Sequence, residues 1–220
     1  MFFRHNKSLI IVFTISIIVY LLSCFGVFDA FSAYTAKTFY NHLGYTNKWS
    51  HSFGPKWLVE IIDNFRTLGS REIVLLLSIF MYLYLKRTRE NRDARKFAFT
   101  IGLGIVFLLV VKTLTSTKNE LNMISVLTET LSYFPSGHAY RATILYLTLA
   151  KFSTKRSKDS FLVNSVYASA SIVILLTGIS LFMGSGHTVT EVIAGWSLGL
   201  CWFTFAQLFL AADHRTIFNK

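Results

Sequence analysis

Three stretches of this chain, 9–28, 161–186 and 192–212, contain no Asp, Glu, Lys or Arg. Each can cross the ~30 Å hydrocarbon core of a bilayer, which takes ~20 helical residues. This constrains the fold more than any other feature. In lipid every backbone N–H and C=O must be satisfied internally, and a helix does that within one segment. Three further apolar stretches reach full length only if Arg71, Lys112 and His138 lie in their outer turns. The expectation is an all-α polytopic membrane protein. Residues 1–220 form a single domain, a six-transmembrane-helix bundle with spans at about 8–28, 68–86, 97–117, 135–151, 161–183 and 190–212. The "LLSC" at 21–24 resembles a lipoprotein cleavage site, but five later spans favour a first transmembrane helix there.

A net charge of +11 could point to nucleic acid, yet the placement of the charge argues for topology. Residues 1–7, 86–96, 151–160 and 213–220 hold 14 of the 22 Lys and Arg, and all four segments fall on one side of a six-span chain. By the positive-inside rule that side is the cytoplasm. Both termini are therefore expected to be cytoplasmic, in a multi-pass protein of the cell inner membrane. The partners are then the lipid bilayer and its anionic headgroups, with no nucleic acid. Cys24 and Cys201 both fall in apolar runs, which argues against a disulfide framework or a metal cluster.

The longest connection, 29–68, reads as an outer-side stretch rich in aromatic and polar residues. Within it, 57–65 has apolar positions spaced for one helical face, with Glu60 and Asp63 on the other. That pattern predicts a helix at the interface, anchored by Trp49 and Trp57, with His42 and His51 as solvated loop residues.

The unusual polar residues share a depth. Arg71 lies 15 residues from Lys86, Lys112 lies 16 beyond Lys96, and His138 lies 13 before Lys151. At ~1.5 Å per residue all three stand roughly 20–24 Å above the basic boundary. Each could snorkel to the outer interface independently, but cations at one height suggest a shared anionic target. In "PSGH", Pro135 suits the first position of a helix, so Ser136, Gly137 and His138 form its first turn. Their N–H groups are then free to face an anion, and Gly137 lets it approach closely. Farther on, His187 and Glu191 are four apart, so the carboxylate can hold one imidazole nitrogen and expose the other. Gly195 and Gly199 permit close helix packing behind them. Helix-end donors, a proton-carrying histidine and a second histidine backed by a carboxylate together make a phosphoryl-transfer site.

At these residues the chain resembles the type-2 phosphatidic acid phosphatase superfamily. That signature has three parts: a lysine followed seven residues on by Arg-Pro; then "PSGH"; then Ser-Arg, five residues, His, three residues and Asp. The second is complete at residues 135–138. The third appears as Ser180, Leu181, His187 and Glu191, and the first keeps Lys112 but has Asn119 and Glu120 for Arg-Pro. Both arginines of the pattern are thus replaced, by Asn119 and Leu181, and its aspartate is Glu191.

The resemblance implies a lipid phosphate or diphosphate monoester hydrolysed at the outer face of the membrane, without metal or other cofactor. His187 would be the nucleophile, Glu191 its orienting base and His138 the acid for the leaving oxygen. Lys112, Ser136 and Gly137 would bind phosphate. Arg141, Arg71 and Lys118 are the cations that could replace the missing arginines. A phosphotransferase using the same phosphohistidine, a non-catalytic phospholipid-binding homologue and a transporter are the alternatives; no repeat of the kind transporters carry is present. In a variant lacking Cys24 and Cys201, Ser157→Cys and Ser185→Cys are expected to label from opposite sides of the membrane. Labelling from the same side would rule out six spans.

Overall fold

The computed structural model describes residues 2–44, 54–115, 134–184 and 187–218, and among these every regular element is a helix. The helices are α1 (Phe2–Cys24), α2 (Asp29–Leu43), α3 (Lys56–Thr67), α4 (Arg71–Arg87), α5 (Asn91–Thr115), α6 (Gly137–Thr154), α7 (Ser160–Gly184) and α8 (Val189–Phe218). Apolar side chains such as Ile11, Ile15, Leu75, Phe80, Val106, Phe161 and Ile172 face outward, while Lys112, Arg141, Thr143, Thr148 and Ser197 are buried. A soluble monomer rarely exposes so much apolar surface; lipid tails accept it without penalty.

Among the described residues, four helices are long and apolar enough to cross a membrane: α1 from Lys7, α5, α7, and α8 as far as Ala211. Helices α3 and α4 meet at a 45° bend and together make a fifth candidate. Helix α6 has 18 residues and is the most enclosed, packing against α4, α5, α7 and α8. It carries His138, Arg141 and Lys151 along its length, and protein rather than lipid surrounds it.

The buried hydroxyls show how these helices tolerate polar side chains. Thr100, Thr143, Thr154 and Ser197 each donate to the carbonyl four residues back, so none needs a partner from another helix. Contacts between helices come from small residues. A Cβ on Gly195 would lie 2.6 Å from the Ser136 carbonyl oxygen, and one on Gly199 would lie 2.7 Å from Thr143 Cβ. These two glycines, one turn apart on α8, let its backbone lie directly on α6, as their spacing suggested. Trp202 and Tyr140 lock the same pair to α5, donating to the carbonyls of Thr100 and Gly104.

The stretch expected to be mainly a connection contains two helices. Helix α3 covers the amphipathic 57–65 segment, burying Ile62 against α7 and exposing Glu60 and Asp63. Helix α2 was not anticipated, and His42 lies in its last turn, not in a loop. Asp29 sits in its first turn, where an acidic side chain complements the helix dipole. Gly26 makes the turn that precedes it, at φ +70°. A Cβ there would meet the Asp29 carboxylate at 2.6 Å, so the turn requires glycine. Trp49, His51, Lys118 and Asn119 lie outside the described residues.

The two ends of the bundle differ in charge chemistry. At one end Lys155 pairs with Asp93, Arg156 with Glu90 at 2.8 Å, and Lys151 donates to Gln207. The far ends of the same helices carry Lys112, His138 and Glu191. Gly199→Val is expected to cost about 1–3 kcal/mol, because Thr143 and the Tyr140 carbonyl leave no room for a side chain. Gly102→Ala is the control: nothing lies within 4 Å of its added Cβ, so it should be neutral or stabilise by up to about 1 kcal/mol. Thermal unfolding in detergent reads both.

Candidate active site

Two helix starts build the site. Ser136 is the N-cap of α6, with extended backbone and its hydroxyl accepting from the Ala139 N–H at 3.5 Å. The helix therefore begins two residues later than its sequence suggested, at Gly137 and not at Pro135. The Ser136 N–H is not available to an anion either, because it donates to the Glu191 carbonyl at 3.0 Å. The orphan donors at this end are the N–H groups of Gly137 and His138.

Thr188 is the N-cap of α8. The Thr188 N–H donates to Glu191 Oε2 at 3.1 Å, and the Glu191 N–H donates to Thr188 Oγ1 at 3.2 Å. This reciprocal pair is a capping box, and it needs glutamate or glutamine at the third helical position to reach back. The same Oε2 lies 2.8 Å from His187 Nδ1. One carboxylate thus caps the helix and holds the imidazole by its Nδ1 edge. Helix α2 braces the same turn: Ser32 Oγ accepts from the Val189 N–H at 3.1 Å, and Thr190 donates to Asp29 at 2.9 Å.

Cations gather at the α6 start. A Cβ on Gly137 would lie 3.2 Å from Arg141 Nη1 and 3.4 Å from Lys112 Cε, so both side chains close on the space that glycine leaves open. Both are buried. Arg141 Nε donates to the Gly69 carbonyl at 3.1 Å, and Tyr146 donates to Leu68 at 3.0 Å. These bonds satisfy the carbonyls of the α3–α4 elbow and aim the guanidinium along α6 at the "PSGH" turn. His138 lies in the electrostatic field of Arg141, Arg66, His187 and Lys112.

Arg66 is the residue that the sequence did not reveal. It lines a cleft of about 340 Å³ with Asp63, Thr67, Ser70 and His138. Only the folded elbow brings α3 to His138, and no spacing in the chain announces it. Arg71, the first residue of α4, is exposed. Leu181, at the position of an arginine in the pattern, is buried against Ala139, Val192 and Trp196. A second cleft, of about 470 Å³, borders Glu191 and is lined by Asp29, Thr115, Phe134 and Thr188 among others. Among the described residues no three His, Cys, Asp or Glu side chains converge on one point.

A family model described as the PAP2 superfamily matches residues 115–215, which include α6, α7, most of α8 and both histidine motifs. Phosphatidylglycerophosphatase B of Bacillus subtilis (strain 168) is 27% identical over 157 residues, 70% of this chain and 75% of that protein. The crystal structure of a transmembrane PAP2-type phosphatidylglycerolphosphate phosphatase from Bacillus subtilis aligns with a TM-score of 0.68, covering 91% of this chain and 94% of that one. At 21% identity that likeness establishes a common fold.

The capping box makes a prediction of its own. Thr188→Ala and Glu191→Ala should each cost about 1 kcal/mol in thermal unfolding. The double variant should cost less than their sum, because each removes bonds that the other shares. Glu191→Gln should be nearly as stable as the parent, since its amide oxygen still caps.

Proposed function

The chain belongs to the PAP2 superfamily, and from that premise we propose that it is an integral-membrane lipid phosphatase acting through a phosphohistidine. The observation that carries this reading is the pairing of His187 with Glu191 beside an α6 start flanked by Lys112 and Arg141. His187 Nε2 attacks phosphorus, and the N–P bond forms as the bond from phosphorus to the lipid oxygen breaks. His138 gives its proton to that departing oxygen. Glu191 stabilises the cationic imidazole throughout. A water molecule then attacks phosphorus and returns a proton to His138, the N–P bond breaks, and phosphate leaves.

Charge on the three equatorial oxygens needs donors that are already in place. Lys112, Arg141 and the N–H groups of Gly137 and His138 fill that role in this reading. Arg141 stands in for an arginine that the chain lacks. The reaction needs no metal, because these cations supply the neutralisation.

Helix α6 is the sixth span, polar enough to require a protein sheath. The ion-paired end with its basic loops lies in the cytoplasm, both termini with it, and the histidines face the periplasm or outer leaflet of the inner membrane. The substrate is a lipid phosphate or diphosphate that arrives sideways from the bilayer. The similarity to a phosphatidylglycerophosphatase favours a glycerophospholipid monoester within that class.

Phosphate release from a panel of lipid phosphates by the purified protein, with and without a chelator, tests the reading. Turnover is expected in both conditions and should vanish in His187→Ala. Substantial activity in that variant would overturn the phosphohistidine. Arg141→Gln should lower turnover at least tenfold, about 1.4 kcal/mol in the barrier. It should also destabilise by about 1–3 kcal/mol, because the Gly69 carbonyl loses a charged donor.

A further inference from the structure

His187 rides on the turn that opens α8, one residue before its N-cap Thr188. Whatever fixes that turn fixes the imidazole. Misplacing a reacting group by about 1 Å can slow a reaction on the order of 100-fold, so the restraints on the turn bear on the rate. One restraint is internal, the capping box. A second comes from α6, whose Ser136 N–H donates to the Glu191 carbonyl. The third comes from α2, and its residues lie outside 115–215, the part of the chain that the family model matches.

We propose that Ser32 and Asp29 are positioning residues for the reaction. Through the Val189 N–H and the Thr190 hydroxyl they hold the first turn of α8, and with it the His187–Glu191 pair, against α6. The inference rests on the phosphatase reading and deepens it: a helix outside the matched region keeps the nucleophile in place without touching substrate.

Asp29 and Ser32 are three apart, on one face of α2. Ser32 is buried, and the N–H it accepts from Val189 is one that α8 cannot satisfy within itself. The Thr190 hydroxyl that Asp29 accepts is buried as well. Consecutive residues of α8 are thus both tied to α2, which resists rotation of the turn as well as fraying. Packing does not restrain this flank, because the cleft of about 470 Å³ opens there, bordered by Asp29, Thr188, Thr190 and Glu191. Helix α2 is itself anchored at both ends. The Gly26 N–H donates to the Ser23 carbonyl of α1 at 3.1 Å, and the Asp29 N–H donates to the Gly26 carbonyl at 3.0 Å. Farther along, the Phe39 ring meets Phe182 of α7 edge to face, with centroids 5.2 Å apart. Loosening the turn has a specific consequence. Glu191 Oε2 serves the Thr188 N–H and His187 Nδ1 together, so a frayed cap also loosens the imidazole.

The test uses the full-length protein in mixed micelles with phosphatidylglycerophosphate and phosphatidate, and follows hydrogen exchange alongside turnover. Ser32→Ala and Asp29→Ala should each lower kcat about tenfold with KM changed by less than about twofold, since the nucleophile and not lipid binding is disturbed. Asp29→Asn keeps an acceptor oxygen for Thr190 and should retain most of the parent's kcat. Thr190→Val removes the same bond from the other side, and combining it with Asp29→Ala should lower kcat no further than either change alone. In Ser32→Ala, Asp29→Ala and Thr190→Val, exchange over residues 187–192 should quicken at least about fivefold, with the rest of α8 unchanged. Parent-like kcat in both alanine variants overturns the proposal, as does an Asp29→Asn variant as slow as Asp29→Ala. Exchange that quickens along the whole of α8 also overturns it, by marking a general loss of stability. If an alanine variant fails to fold, Thr190→Val decides: parent-like kcat and exchange there overturn the proposal. No phosphate release by the parent from either lipid would sink the phosphatase reading and the catalytic claim with it. Exchange over 187–192 would still report the brace in that case, so the two failures are told apart.

Discussion

One backbone hydrogen bond, from the Ser136 N–H to the Glu191 carbonyl, joins the two halves of the site. The residues it connects are 55 apart in sequence, and each begins or caps a different helix. Inside a low-dielectric bundle water does not compete for such a bond, so it holds its geometry more firmly than it would at a wet surface. Gly195 is what allows it: any side chain there would strike the Ser136 carbonyl and push α6 and α8 apart. The spacing of His138 and His187 therefore depends on backbone contact between α6 and α8.

The buried charges obey the same economy. An ionisable group within a membrane protein must be given partners, and this chain gives Arg141 a carbonyl at the elbow while holding it beside the start of α6. Arg141 holds the α3–α4 elbow through Nε and extends its remaining nitrogens toward Gly137. The bond that satisfies the elbow is thus also the bond that aims the guanidinium. Glu191 works in the same double fashion, as helix cap and as partner of His187. An aspartate could hold an imidazole, but the longer arm of glutamate also reaches back to the Thr188 N–H.

The parts legible in the sequence are those set by local rules. Long uncharged runs announced α1, α7 and α8, because hydrocarbon tolerates little else. Gly195 and Gly199 announced a close helix pair, and the four-residue spacing announced the His187–Glu191 contact. The Thr188–Glu191 capping pattern was also there to be read, but it was masked by the stronger reason for noticing Glu191. Helix α2 went unseen because its mixture of aromatic, alanine and hydroxyl residues has no long apolar run, and its position depends on Asp29 and Ser32 meeting α8. Arg66 was invisible for a similar reason. Its nearness to His138 arises from a bend between two helices, and a bend leaves no periodic trace. The start of α6 was misplaced because proline suits a first helical position in general, whereas here Ser136 is the better cap.

Leu181 has an implication for how this chain could change over generations. It occupies the place where the superfamily pattern has an arginine, and its side chain is sealed among Ala139, Val192 and Trp196. Arginine at this position would put a guanidinium among those apolar side chains, a burial that is strongly unfavourable unless acceptors come with it. Accommodating an arginine there would first require Val192 or Trp196 to be remodelled, and neither change brings any benefit while leucine remains. The packing therefore holds position 181 to an apolar residue. Cations that reach the start of α6 from other positions, such as Arg141, meet no such constraint from this pocket.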